Sequence, residues 1–291
     1  MLMSTSSLSR INDVLYEIHR DIAADLPAAH LARVAAFSEQ HFHRVFAAHM
    51  GESVHRYIAR IRMEQAANQL MFDHSSKVVD IALKCGYKSL SSFTRTFKSR
   101  MGMSPGEWRK HHAISAEPDF MQVPEISAGY RRIATSPLAA PTIIETQPKR
   151  VAYMRHQGYN RNIQKTWQTL VLWAYEHQIE DKNQFALLHS NPALVPLDEC
   201  RYVACIATDK PLLKRSKVNS LVIPGGLHAR FHLCGIYGEF IPYLNRIMTE
   251  WAPSSGFKLK TTPTWVEYKK NQFMDEQGRF DLLLFLPVSF Y

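Results

Sequence analysis

The sequence predicts two domains of different class: an all-α double helix-turn-helix over residues 8–112 and an α+β domain over residues 141–291. Three observations carry that reading. The string Phe-x-Arg-x-Phe-x-x-x-Met-Gly-x-Ser occurs twice, at 42–53 and at 93–104, offset by 51 residues. So short a repeat marks one small structural device built twice. Residues 8–112 hold only Pro27 and Pro105 and no alternation of apolar and polar residues. Beyond residue 140, β-branched and aromatic alternation sets in, interrupted by two helical runs, and a fainter repeat recurs at an offset of 77–78.

The helices follow in order. Leu8 to Ala24 places Ile11, Val14, Leu15, Ile18 and Ile22 at helical spacing. A second unit starts near Ala28 and breaks at Ala36-Phe37. Ser38 is then a natural N-cap for a helix holding Phe42, Val45 and Phe46. Gly51 ends it, and Ser53 caps a helix to about Phe72. The pattern then repeats: a short helix from Val78 to Leu83, a turn at Gly86-Tyr87, and Ser89 capping a helix with Phe93, Thr96 and Phe97. Gly102 stops it and Ser104-Pro105 opens a final turn. Short helix, tight turn, longer helix, made twice, is the pattern of two helix-turn-helix units.

Residues 113–140 are rich in Ala, Ser and Pro and read as a linker, with a short strand around Met121–Val123. Each following half reads strand, helix, strand, strand. The first has 149–156, 161–177, 184–189 and 201–207; the second has 227–233, 238–251, 264–269 and 281–287. Such halves join into one antiparallel sheet with both helices on one face, leaving a concave groove on the other.

Bulk composition narrows the partners. The formal charge is +9, and residues 1–112 carry 15 Lys and Arg against 10 Asp and Glu, so an anionic partner is favoured at the N-terminal end. Cys85, Cys200, Cys205 and Cys234 form no Cys-x-x-Cys pair and sit in no His/Cys cluster with zinc-ligand spacing, which predicts reduced thiols and no metal. The start of the chain lacks an apolar core of a signal peptide, and no run reaches the ~18 apolar residues of a membrane span. A cytoplasmic protein with no membrane partner is expected.

On a helical wheel, Phe42, Val45 and Phe46 group on one side, as do Phe93, Thr96 and Phe97. The opposite faces offer Gln40, His43, Arg44 and Ala47 in the first unit, and Ser91, Thr94, Arg95 and Lys98 in the second. These faces hold donors and small hydroxyls and no carboxylate, the residue types that read base edges and phosphates. A connecting helix over 53–72 spans ~30 Å at 1.5 Å per residue, close to the ~34 Å turn of B-DNA. Two reading heads can therefore meet successive major grooves without a dimer.

The run Ile81-Ala82-x3-Gly86-Tyr87-x5-Phe93-x-Arg95-x-Phe97-Lys98-x3-Gly102-x-Ser104-Pro105-x3-Arg109 resembles the signature of the AraC/XylS transcription regulators. The resemblance implies sequence-specific binding of double-stranded DNA, with RNA polymerase as a further partner and activation as the outcome. By that resemblance Gln40, His43 and Arg44 are base-contacting positions in the first unit, and Ser91, Thr94 and Arg95 in the second. One departure is Ala36 where the first unit usually has glycine, a strain of ~1 kcal/mol at a left-handed position that leaves the first head looser.

The second half resembles the GyrI-like effector-binding domain through Val151-Ala152-Tyr153, Gly158, Trp167, Ile223-Pro224-Gly225-Gly226, Gly235, Trp251, Trp265-Val266-Glu267-Tyr268 and Leu284-Phe285-Leu286-Pro287-Val288. DNA-binding units first and this domain second resembles the Rob subgroup, and implies a multidrug-type response to a small molecule. Strand alternation puts Trp265 and Glu267 on one face, a carboxylate beside an indole suited to a cationic aromatic effector. Trp167, Tyr237 and Tyr243 are further candidate pocket residues; against this, Lys269 shares the face of Glu267 and aromatics at helical spacing also serve as core. No nucleophile–base pair and no Gly-rich phosphate loop is visible, so no catalytic residue and no cofactor is expected. Two other readings stay open: a hydrolase of small electrophiles using Glu267 and nearby tyrosines, and a protein-interaction module controlling availability.

Overall fold

A computed structural model describes residues 5–73, 76–113, 119–210 and 218–290. The chain divides into two compact units near residue 114.

The first unit is helical throughout: α1 Thr5–Arg20, α2 Ala28–Val34, α3 Glu39–Met50, α4 Val54–Phe72, α5 Val78–Lys84, α6 Leu90–Met101 and α7 Pro105–Ala113. Serine side chains set the starts. Ser38, Ser53 and Ser89 each accept a hydrogen bond from the backbone N–H three residues on, those of His41, Arg56 and Ser92. Ser104 goes further: its Oγ accepts from Glu107 N while Glu107 Oε2 accepts from Ser104 N at 2.7 Å, a reciprocal capping box. The apolar stripe of α1 (Ile11, Val14, Leu15, Ile18) packs into one core with Leu31, Phe42, Phe46, Val54 and Tyr57. The second copy is anchored alike, with Phe93 packed on Tyr87 and on Phe97, and Phe97 on Trp108.

Both turns use a left-handed residue, Ala36 at φ 51° and Gly86 at φ 81°. Their hydrogen bonds match. Ala36 N donates to Arg33 O and Phe37 N to Ala32 O; Gly86 N donates to Leu83 O and Tyr87 N to Ala82 O. The alanine turn is thus closed like the glycine turn. Arg10 braces it, donating to Ala36 O at 3.0 Å and lying over the Phe37 ring.

The second unit is built on β1 Thr142–Thr146, β2 Lys149–Gln157, β3 Gln184–Leu188, β4 Arg201–Ala207, β5 Asn219–Ile223, β6 Gly226–Ile236, β7 Lys258–Leu259, β8 Thr264–Lys270 and β9 Arg279–Ser289. Strand order is β1-β6-β9-β8-β3-β4-β2-β5, with β7 on β9. The two repeats therefore meet at β3 and β8, where Phe185 faces Glu267 and Leu187 faces Trp265 across an antiparallel register. Helix α9 Ile163–Glu176 sets Trp167 edge-on to Tyr268, and α10 Phe240–Arg246 sets Phe240 edge-on to Phe280. Tyr268 and Phe280 share a face by register, so both helices cover the same side of the sheet, as the sequence predicts. No helix among the described residues is long and apolar enough to cross a membrane.

The structure corrects several expectations. Met121–Val123 is no strand: a 3-10 helix spans Asp119–Gln122, and α8 Pro124–Ile133 follows inside the expected linker. Phe120 and Ile126 are buried with Ile241 of α10, which is why this stretch folds against the second unit. Pro124 at the first helical turn, where no N–H is needed, starts α8. Strands β1, β5 and β7 were not legible, being short and edge-placed. The helix expected over 238–251 is α-helical only to Arg246 and continues as a π-turn, Ile247–Trp251.

Candidate nucleic-acid interface and effector site

Helices α3 and α6 present the expected faces. Phe42, Phe46, Phe93 and Phe97 are fully buried, while Gln40, Arg44, Ser91, Arg95 and Lys98 are exposed and His43 and Thr94 half-buried. The four phenylalanines fix each helix in rotation, and the 3.6-residue period turns the arginines outward. One detail differs from the sequence reading. The first face is not free of acid: Glu39 sits one turn before His43, its carboxylate 3.9 Å from Nε2. Arg44 is held by His41, with Nη2 3.0 Å from Nδ1. Helix α6 carries no carboxylate at all. Its face is the freer of the two to take phosphate and base-edge acceptors.

The five candidate effector residues are not gathered into one pocket. Trp265 and Glu267 do share the face opposite the helices. Trp265, however, is 1% exposed and lies flat on Phe285, ring centroids 3.7 Å apart, with its indole N–H donated to His228 Nε2. That bond fixes the His228 tautomer, because an indole nitrogen only donates; Nδ1 then carries the proton and donates to Gly226 O at 2.8 Å. Burial holds the His228 imidazole below its ordinary range. Trp265 is therefore core. Glu267 keeps 22% of its side chain exposed and pairs with Lys269 Nζ at 2.5 Å, the solvent-side neighbour weighed in the sequence reading.

Trp167 lies on the other face, under α9. Its Nε1 donates to Tyr202 Oη, which is 3.1 Å from Tyr268 Oη. Phe273 packs on Tyr202, and Tyr237 and Tyr159 pack on Phe273. An unbroken aromatic cluster thus runs from Trp167 to Tyr237. Burial pushes the phenols of Tyr159, Tyr202 and Tyr268 well above their ordinary range, so all three stay protonated and neutral. Sequence reasoning missed Tyr159, Tyr202 and Phe273. Strand alternation flags Tyr202 as inward, but only the register shows what it meets. Tyr243 stands apart on α10, half-buried. Arg161 covers the Tyr237 ring at 4.2 Å.

A cavity of about 530 Å³ opens beside Tyr268, lined by Asp181, Lys182, Gln184, Lys270 and Asp275. Its walls bear both signs of charge. Hydrogen bonds from Arg279 hold the Asp275 carboxyl down to about 2. Such a lining suits a polar guest, and Glu267 is not part of it.

Comparison with known proteins gives matches to both units. Residues 139–289, more than half of the chain, match the family described as the GyrI-like small molecule binding domain, and residues 31–111 match a helix-turn-helix domain. The HTH-type transcriptional regulator Rv1931c of Mycobacterium tuberculosis is 45% identical over 83 residues, 28% of this chain and 32% of that protein. The regulator YbfP of Bacillus subtilis is 35% identical over 116 residues, 38% and 37% of the two chains. The transcriptional activator NphR of a Rhodococcus species is 32% identical over 112 residues, 38% and 32%. These alignments span about a third of each curated relative's length. The chain belongs to the GyrI-like small-molecule-binding family and carries, ahead of that domain, a helix-turn-helix domain of the AraC type.

Proposed function

We propose that the chain is a one-component, cytoplasmic transcription activator without catalytic activity, which reads double-stranded DNA through α3 and α6 and responds to a small molecule through its second unit. One observation carries the DNA reading: two copies of the same buried phenylalanine pair each turn an exposed arginine-bearing face outward. Gln40, His43 and Arg44 are the base-contacting set of the first helix, and Ser91, Thr94 and Arg95 that of the second. Lys98 takes phosphate. RNA polymerase is the partner through which activation acts; of the relatives, NphR is named a transcriptional activator. Helix α4, 19 residues long, spans about 28 Å, which suits two reading helices in successive grooves of one duplex.

Mapping the bound genomic sites supplies the motif against which variants are measured. Arg95→Ala should cost about 1–3 kcal/mol and relax preference at one base position. Lys98→Ala should weaken all sequences alike and lower the salt slope by about 1. Uniform weakening by Arg95→Ala would remove it from the base readers.

For the effector, the partly exposed Glu267 across from Phe185 supports an aromatic cation that displaces the Lys269 ammonium. Titration with benzyltrimethylammonium should show Glu267→Gln binding about tenfold more weakly, a loss of about 1.4 kcal/mol. Equal binding by the two proteins would move the effector elsewhere, with the cavity beside Tyr268 as the next place to look.

A further inference from the structure

On β6, His232 and Cys234 alternate with the buried Phe231 and Leu233, so both side chains leave the sheet on the face opposite the helices. The antiparallel register with β9 sets Asp281 directly across from Cys234. The three ligand-type atoms lie within 4.8 Å of one another. His232 Nε2 is 2.8 Å from Asp281 Oδ1 and 3.6 Å from Cys234 Sγ. Solvent reaches the cluster, with 61% of the His232 side chain and 43% of that of Asp281 exposed.

We propose that His232, Cys234 and Asp281 form a binding site for a zinc-class divalent metal ion. The donor set decides the class. Thiolate and imidazole select borderline-soft ions, whereas magnesium and calcium require oxygen ligands throughout. The spacing fits as well. Tetrahedral zinc holds thiolate sulfur at ~2.3 Å and imidazole nitrogen at ~2.0–2.1 Å, which puts the two donors ~3.6 Å apart. That is the separation of Cys234 Sγ and His232 Nε2, 3.6 Å. The Asp281 carboxylate moves from the imidazole by ~0.5 Å, exchanging its hydrogen bond for a bond to the ion. Water completes the fourth position, since three protein ligands converge among the described residues. On binding, Cys234 gives up its thiol proton to solvent. His232 exchanges the Nε2 proton it lends Asp281 for one on Nδ1, so the imidazole stays neutral and neither it nor the carboxylate releases a proton on balance. No zinc motif exists in the sequence because the ligands come from two strands, with His232 and Asp281 49 residues apart.

The site shares its face with Glu267. Leu283 lies directly across from His232 on one side and from Glu267 on the other, so a bound dication would sit two strands, roughly 10 Å, from that carboxylate. Metal binding is nevertheless independent of the effector reading and is tested without it.

The test is a titration of the reduced full-length chain with cobalt(II) as a spectroscopic stand-in, in the absence of DNA. One equivalent should bind with a thiolate-to-cobalt charge-transfer band, and zinc should displace it. Cys85, Cys200 and Cys205 are buried, so the band reports Cys234. Cys234→Ser should abolish the band, and Asp281→Asn should weaken binding at least tenfold, with far-UV spectra unchanged in both. Cobalt bound without the band, a band surviving in Cys234→Ser, an unaltered affinity in Asp281→Asn, or failure of zinc to compete would each overturn the assignment.

Discussion

Gly86→Ala is expected to destabilise the helical unit by about 2–4 kcal/mol, measured by chemical denaturation of the full-length chain. Two causes add. The residue stands at φ 81°, where a side chain costs about 1–2 kcal/mol, offset by about 0.4–1 kcal/mol of lost freedom in the unfolded chain. Space is the larger cause. A Cβ at Gly86 would come within 2.7 Å of Arg62 Nε, and Arg62 cannot yield freely. Its Nε donates to Ile22 O and its Nη2 to Ala24 O, each at 2.7 Å, tying α4 to the end of the first core. Pushing the guanidinium aside forfeits charge-assisted bonds of about 1.5–3 kcal/mol. The mirror substitution should act oppositely: Ala36→Gly relieves a left-handed alanine and should gain about 0.5–1 kcal/mol. A cost below about 1 kcal/mol for Gly86→Ala would show that Arg62 swings away easily.

The second large effect is expected in the other unit. Gly129→Ala should cost about 2–3 kcal/mol by overpacking. Gly129 lies on the buried side of α8, and a Cβ there would overlap the Gly238 carbonyl and come within 2.6 Å of its carbon. The obstacle is backbone, so the strain is relieved only by moving the helix. Two arginines resist that movement. Arg132 pairs with Glu239, and Arg246 donates to Ile133 O at 2.7 Å and Ser136 O at 2.9 Å. Hydrogen exchange across 124–133 should rise several-fold in the variant, marking a local opening of α8. Unchanged protection there, together with unchanged stability, would mean that α8 docks by other contacts.

The helical half was more legible than the sheet half. Ser38, Ser53 and Ser89 announce helices that begin one residue later, because a side-chain cap and its N–H partner are three residues apart. Phe42 and Phe93 likewise needed only a helical period to be placed inside. The acid on the first face was missed because Glu39 opens α3, and the i to i+4 relation to His43 exists only once the helix is drawn from that residue. In the sheet, alternation correctly paired Trp265 with Glu267 on one face. It did not show that the indole was already engaged by Phe285 and His228.

Within the sequence alone lay the fold class, the duplicated helix-turn-helix, the outward faces of α3 and α6, and the strand-helix-strand-strand repeat. All of these rest on neighbours within one or two turns, or on strand alternation. Tertiary structure alone decided that α8 belongs to the second unit, that Trp167 joins Tyr202 and Phe273 in a cluster, and that Asp281 meets His232 and Cys234. These are pairings between distant segments, set by strand register and by which buried surfaces fit. Since one residue of slip would turn Asp281 to the opposite face, no local pattern in the chain could have specified that meeting.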